Sequence, residues 1–276
     1  MKKTYIIAEI GINHNGCLNT AKRLIDISAA AGCDAVKFQK RNPDVCVPEH
    51  QKNLKRETPW GEMTYLEYKY KVEFNQREYD EIDDYCKRQN ISWSASPWDL
   101  DSLKFLQQYD IPFIKIPSAM ITNIELVAKA AKIDKKIIIS TGMSSEQEID
   151  DCVALVRRYN KNLAVLHCNS TYPAPIDELN LSCIKTLKEK YDCEVGYSGH
   201  EFRLGTSVAS VYLGASIIER HVTLDRTMWG SDHMSSVEPQ GLFKLVSGIR
   251  ELEKAYGNGE IYISTSEFPV RRKLRG

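Results

Sequence analysis

Two histidines stand just past consecutive apolar runs. One lies in Val195-Gly196-Tyr197-Ser198-Gly199-His200-Glu201 and the other in Ser216-Ile217-Ile218-Glu219-Arg220-His221; Gly230-Ser231-Asp232-His233 follows. The stretch 205–213 between the runs reads as a helix. Parallel strands joined by a helix carry their C-terminal ends to one edge of a sheet. His200 and His221 then converge with Asp232 nearby. Imidazoles with a carboxylate form the donor set of a catalytic divalent metal. A lone histidine at a strand end is often structural; a pair on adjacent strands followed by an aspartate points to a ligand set. His233 adjoins Asp232 and is a candidate supporting group behind the ligands, base or substrate contact. His14 and His167 are weaker candidates, and His50 reads as solvated.

Two lysines carry a second chemistry. Lys37 sits in Ala35-Val36-Lys37-Phe38 and Lys115 in Phe113-Ile114-Lys115-Ile116. A lysine pointing into a barrel is costly unless an anion meets it. A lysine facing outward would instead snorkel between helices. With hydroxyls at Ser96, Ser118, Ser140 and Ser198, two inward lysines describe a site for a small polyanion carrying a phosphate and a carboxylate. A Schiff-base lysine is the other functional reading; two lysines beside a metal favour anion binding.

The elements that must position these groups follow from short β-rich runs alternating with longer amphipathic stretches. Strands are predicted at 5–10, 35–39, 92–95, 113–116, 137–140, 164–167, 194–197 and 216–219. Helices are predicted at 18–31, 76–89, 99–109, 124–131, 145–159, 177–190, 205–213 and 240–256. Eight strands each followed by a helix imply a (β/α)8 TIM barrel, an α/β fold in a single domain, with an open doubly wound sheet as the alternative. The barrel is expected over residues 1–258, with a tail at 259–276. Residues 40–75 form an unusually long connection after the second strand, rich in charge and aromatics. Such a connection is a lid, an interface, or an excursion that packs on itself.

Composition narrows the partners. Lys plus Arg and Asp plus Glu are both 37, so no net field points to nucleic acid or a membrane surface. No apolar run reaches membrane-spanning length. The apolar stretch after Met1-Lys2-Lys3 is too short for a signal peptide and is interrupted by Glu9. The eight cysteines are scattered without a CxxC pair, which suits reduced thiols and a cytoplasmic protein.

The motifs Ala8-Glu9-Ile10-Gly11-Ile12-Asn13-His14-Asn15-Gly16, Val36-Lys37-Phe38-Gln39, Lys115-Ile116-Pro117-Ser118, Ser140-Thr141-Gly142-Met143, Tyr197-Ser198-Gly199-His200-Glu201, Glu219-Arg220-His221 and Gly230-Ser231-Asp232-His233 run in order through nearly the whole chain. In these the chain resembles the sialic acid synthases, which condense phosphoenolpyruvate with an N-acyl sugar aldehyde. The resemblance implies Mn2+, or another divalent metal, on His200 and His221. It implies a phosphoenolpyruvate site from Lys37, Ser96, Lys115, Ser118, Ser140 and Ser198. Glu9, Gln39, Tyr172, Glu219 and Asp232 would surround the sugar and the metal. Glu9 or Glu219 would handle protons. Ser170 stands where some members carry asparagine, as a candidate phosphate contact.

Members of this family typically continue into a small C-terminal domain that reaches over the partner subunit's site, whereas this chain stops at Gly276. The expectation is a homodimer whose site is completed by residues 40–75. N-acetylmannosamine is the first choice of acceptor, with mannose-type and diacylated precursors behind it. A 3-deoxy-octulosonate or heptulosonate-type synthase is the competing enzyme, and a non-catalytic sugar-binding barrel the competing class.

Overall fold

Strand alternation decides which side chains this barrel can offer to chemistry. A computed structural model describes residues 1–276. Its strands are β1 (Tyr5–Gly11), β2 (Ala35–Lys40), β3 (Lys55–Thr58), β4 (Gly61–Thr64), β5 (Ser92–Pro97), β6 (Phe113–Ile116), β7 (Lys136–Ser140), β8 (Leu163–Cys168), β9 (Glu194–Gly199) and β10 (Ile217–His221). Eight of them form one parallel sheet in the order β5-β2-β1-β10-β9-β8-β7-β6, and β3 and β4 make a separate antiparallel hairpin. The sheet curls until its edges meet. There Ser94 Oγ donates to the Phe113 carbonyl at 2.6 Å, bridging the β5–β6 seam. The result is the expected TIM barrel.

Successive residues of a strand point to opposite faces. The outward set, with Ile6, Ala8, Val36, Ile114 and Val165, joins the large core under the helices. The inward set forms a small plug of Ile7, Ala35, Phe113, Ile138, Ala164, Leu166 and Ile217. Gly196 makes room in this plug, because a Cβ there would meet Leu166 Cδ2 and the Ile217 carbonyl at 2.4 Å. Two residues further along each strand, the inward side chains become polar.

Helix ends follow their local signals. The helix Leu18–Ala31 stops at Gly32, whose φ of 86° provides the left-handed cap. Capping boxes start the helices Gln76–Arg88 and Glu146–Arg157 at Asn75 and Ser145. Two predicted helices are markedly shorter than expected, 99–109 closing at Leu106 and 177–190 starting only at Cys183. The span 177–190 holds a 3-10 turn at Ile176–Glu178, and the helix proper is Cys183–Tyr191. Asn180 lies between them with φ 43°, which no continuous helix accommodates.

Residues 40–75 are built, not loose. They contain short helices Pro43–Cys46 and Glu49–Lys52, the β3–β4 hairpin and the helix Tyr65–Val72. The excursion also packs on other loops of the catalytic face. Phe74 stacks on His14 with centroids 3.9 Å apart. Tyr68 and Trp60 pack edge-on against Trp229 at 5.0 and 6.0 Å. All eight cysteines are free thiols. No helix is long and apolar enough to cross a membrane.

Candidate active site

The C-terminal ends of the barrel strands surround a cavity of ≈ 150 Å³. Lys37 and Lys115 both point into it and are 2 % exposed. Neither snorkels outward. Lys37 Nζ lies 2.7 Å from Glu9 Oε2, 2.9 Å from Ser96 Oγ and 3.8 Å from Glu219 Oε1. Lys115 Nζ contacts Ser140 Oγ at 2.5 Å and Glu219 Oε1 at 3.5 Å. Ser198 Oγ sits 3.4 Å from the same Glu219 oxygen. Two cations and two carboxylates thus share one water-poor chamber, with hydroxyls between them.

Their ionisation is set by that chamber. Burial pushes Glu9 up to about 7, against the pull of Lys37 and with the help of the Glu219 charge. Burial also opposes the Glu219 charge, but Lys115 and Lys37, followed by the two histidines, hold its pKa below the usual carboxylate value. Lys115 is lowered by burial, with Glu219 resisting. One carboxylate is therefore firmly ionised and the other poised to exchange a proton near neutrality.

The histidine pair meets as expected. His200 and His221 have ring centroids 5.3 Å apart, and both line the cavity. His200 Nδ1 lies 2.5 Å from the Asn169 carbonyl. A carbonyl only accepts, so this nitrogen carries the proton and Nε2 presents its lone pair. The Tyr172 hydroxyl donates to Nε2 at 2.9 Å, and its ring stacks on the imidazole at 4.0 Å. Burial pushes His221 down to about 3, so it stays neutral. Its Nδ1 is buried without a hydrogen-bond partner, as is Glu219 Oε2. Asp232 Oδ2 lies 3.8 Å from that nitrogen. Burial opposes a charge on His200, but Cys168 beside it raises its pKa above the ordinary histidine value; once His200 keeps only its Nδ1 proton, the two imidazoles beside unsatisfied donor atoms suit a divalent cation. No group of three His, Cys, Asp or Glu side chains is placed to hold one unaided.

The remaining candidates divide. Gln39, Ser96, Ser118, Ser140, Ser170, Tyr172 and Ser198 line the cavity. Gln39 Nε2 donates to Glu9 Oε1 at 3.2 Å, and Ser118 Oγ accepts the Gly142 N–H at 3.1 Å. Asp232 stands beside His221, behind the lining. His233 requires a correction, because it does not reach the cavity. It is fully buried in the turn His233–Ser235, with Nδ1 2.7 Å from Thr223 Oγ1. The 3-10 turn points successive residues in different directions, so adjacency to Asp232 does not bring it in. His167 faces outward, its Nε2 2.6 Å from the Leu179 carbonyl. Trp98 and Cys168 also line the cavity without having been singled out. Strand alternation carries the signal for Cys168: if His167 faces out, its neighbour faces in.

A frame behind the histidines holds them in place. Glu201 and Arg220 follow and precede them on the outer face of the wall. Arg220 Nη1 lies 3.0 Å from Glu201 Oε1 and 2.8 Å from Ser207 Oγ, and Tyr197 donates to Glu201 Oε2 at 2.9 Å. A Cβ on Gly199 would come within 2.7 Å of Glu201 Oε2, so the clamp requires glycine there.

Known proteins resemble this chain in sequence and fold. The NeuB family model matches residues 24–261. The N,N'-diacetyllegionaminic acid synthase of Campylobacter jejuni is 41% identical over 97% of this chain and 81% of its own length. The N-acetylneuraminate-9-phosphate synthase of Homo sapiens is 37% identical over 98% of this chain and 76% of its own. The N-acetylneuraminic acid synthetase of Leptospira borgpetersenii, solved in complex with citrate, superposes with a TM-score of 0.87 at 34% identity, over 99% of this chain and 93% of that one. With matches across the barrel and its strand ends, the chain belongs to the NeuB family and is a nonulosonic acid synthase.

Proposed function

We propose that the enzyme joins carbon 3 of phosphoenolpyruvate to the aldehyde carbon of an N-acyl hexosamine, with N-acetylmannosamine or a derivative of it as acceptor. The reading rests on the paired buried lysines, each matched to a hydroxyl, in the cavity at the strand ends. Relatives of similar identity differ in the product they are named for, a legionaminic acid in one case and a sialic acid 9-phosphate in another. The family therefore leaves the acceptor to be read from this chain.

Charge balance supports a metal. Two lysines and two carboxylates sum to zero, and a phosphate monoester with a carboxylate adds about three negative charges. Protonation of Glu9, with its pKa near 7, offsets one of them. A divalent cation on His200 and His221, Mn2+ or a similar ion, offsets the rest and supplies Lewis-acid polarisation of the aldehyde oxygen. An ion held by His200 would compete with the hydrogen bond from Tyr172.

The chain's own groups account for the other requirements. Lys37 with Ser96, and Lys115 with Ser140, hold the phosphate and carboxylate, fixing the enol carbon over the aldehyde. Glu9 delivers a proton to the aldehyde oxygen as the carbon–carbon bond forms. Water then adds at carbon 2, and Glu219 accepts its proton. The tetrahedral intermediate expels phosphate with cleavage of the carbon–oxygen bond. Gln39 and Tyr172 contact the sugar, and Ser118, Ser170 and Ser198 complete the anion site. Asp232 orients His221 from behind.

A cytoplasmic homodimer belongs to the same reading. It is supported by the free thiols and by the exposed Ile261, Tyr262 and Leu274 of the tail. Incubation with phosphoenolpyruvate and a panel of sugars, with Mn2+ or with a chelator, tests the function. Acceptor-dependent phosphate release that chelation abolishes is expected. Phosphate release that no sugar elicits overturns it.

A further inference from the structure

We infer that Arg41 and Lys69 form a subsite for a phosphate monoester on the terminal carbon of the acceptor sugar. The inference deepens the function proposed above and rests on it. It starts from Arg41 and Lys69, which like Arg56 and Lys71 in the same excursion form no ion pair, but which share one cavity. Within the excursion, Lys40 holds Glu73 at 2.7 Å, Lys52 holds Glu49 at 2.7 Å and Lys55 holds Glu62 at 2.6 Å. Asp44 accepts from the Tyr70 hydroxyl at 2.5 Å. Arg41 and Lys69 have no such partner. The Arg41 guanidinium lies on the Trp98 ring at 4.0 Å and donates to the side-chain oxygen of Gln39. Lys69 Nζ has only the faces of Tyr65 and Tyr68, at 5.1 and 5.2 Å. Burial, then the nearby Arg41 charge, lower the Lys69 pKa to about 8. Asp232 and Glu73 offset part of that crowding without touching either cation.

The two side chains line one cavity of ≈ 140 Å³, together with Trp98 and Glu73. A cavity of about 150 Å³ accepts a benzene-sized guest, so a phosphate group fits. Glu73 does not repel it, because Lys40 and the Arg41 backbone N–H, at 3.2 Å, already neutralise its carboxylate. The cavity adjoins the chemistry. Trp98 lines both chambers, and Gln39, which Arg41 holds, donates to Glu9 in the catalytic one. An acceptor with its aldehyde beside Glu9 and His221 would extend its far end past Gln39 and Trp98. A phosphate there meets a forked guanidinium and an ammonium, the pairing best suited to it.

The test compares N-acetylmannosamine 6-phosphate with unphosphorylated N-acetylmannosamine, using wild-type enzyme, Lys69→Met and Arg41→Met. Wild type should favour the phosphorylated sugar in kcat/KM by about 10- to 100-fold, the range for charge-assisted hydrogen bonds. Lys69→Met should lose most of that preference through the phosphorylated sugar alone, and Arg41→Met should shrink the ratio in the same direction. Calorimetric titration of each sugar into the phosphoenolpyruvate-bound enzyme gives the same comparison without turnover. Equal or better use of the neutral sugar by wild type, or an equal loss for both sugars in Lys69→Met, overturns the subsite while leaving the synthase reading standing. Absence of turnover with every sugar overturns the synthase reading, and the titration then judges the subsite by itself.

Discussion

Replacing Lys115 by methionine removes a cation while keeping most of the side chain's volume. Lys115 is 2 % exposed, and its ammonium lies 2.5 Å from Ser140 Oγ and 3.5 Å from Glu219 Oε1. Two effects follow. Glu219 is left buried with Lys37 at 3.8 Å as its nearest cation. Breaking a buried pair in this way costs about 3–5 kcal/mol of stability. Glu219 can relieve part of that by taking a proton, since Lys115 is the leading charge that holds its pKa down. A carboxylate whose folded pKa rises above its unfolded value loses stability as pH climbs through that interval. Lys115→Met should therefore melt closer to wild type at pH 5 than at pH 8. The second effect is on the ligand: losing one desolvated contact to the anion weakens phosphoenolpyruvate by about 2–5 kcal/mol, roughly 30- to 4,000-fold in affinity. Adding Glu219→Gln should restore stability but not affinity, which separates the two effects. Calorimetric titration and thermal melting at both pH values provide the readouts. Phosphoenolpyruvate affinity within threefold of wild type would show that Lys115 does not meet the anion.

Three further outcomes are expected. His200→Ala and His221→Ala should each lose bound metal on dialysis while keeping the wild-type circular dichroism spectrum; full metal occupancy in either would refute the ligand assignment. Tyr172→Phe removes the hydroxyl bonded to His200 Nε2 at 2.9 Å, so Mn2+ should bind up to about fivefold more tightly, the worth of one neutral hydrogen bond. Unchanged or weaker binding would show that the hydroxyl does not compete. In Gly16→Ala a Cβ would lie 2.1 Å from the Lys71 carbonyl at a φ of +68°, so the excursion must lift from the barrel. A loss of about 1–3 kcal/mol is expected, with faster proteolytic cleavage inside residues 40–75; an unchanged melting temperature would contradict that packing.

The barrel and its chamber were legible because their signals are local. Most of the strands carry an inward apolar residue low in the barrel and a polar one further along, as in Ile7 and Glu9, Phe113 and Lys115, and Ile217 and Glu219. That alternation places both lysines and both histidines without tertiary information. The excursion was legible only as a length. The hairpin at Lys55–Thr58 and Gly61–Thr64 is largely exposed, so it lacks the apolar alternation that marks a strand. Its packing depends on Trp229, far away in the chain. His233 was misplaced because sequence adjacency to Asp232 says nothing about the direction in which a 3-10 turn aims a side chain. Trp98 continues the inward register of Ser96 one residue past the end of β5, as His200 continues that of Ser198, so the same alternation carried its signal.

The central claim is that this chamber makes a carbon–carbon bond at the expense of phosphoenolpyruvate. The most direct test is mass spectrometry of a reaction containing carbon-13-labelled phosphoenolpyruvate, Mn2+ and N-acetylmannosamine or its 6-phosphate. The predicted product carries all three labelled carbons added to the intact sugar, with one inorganic phosphate released per product. Labelled pyruvate with the sugar unchanged, or phosphate transferred onto the sugar without new carbon, would contradict it.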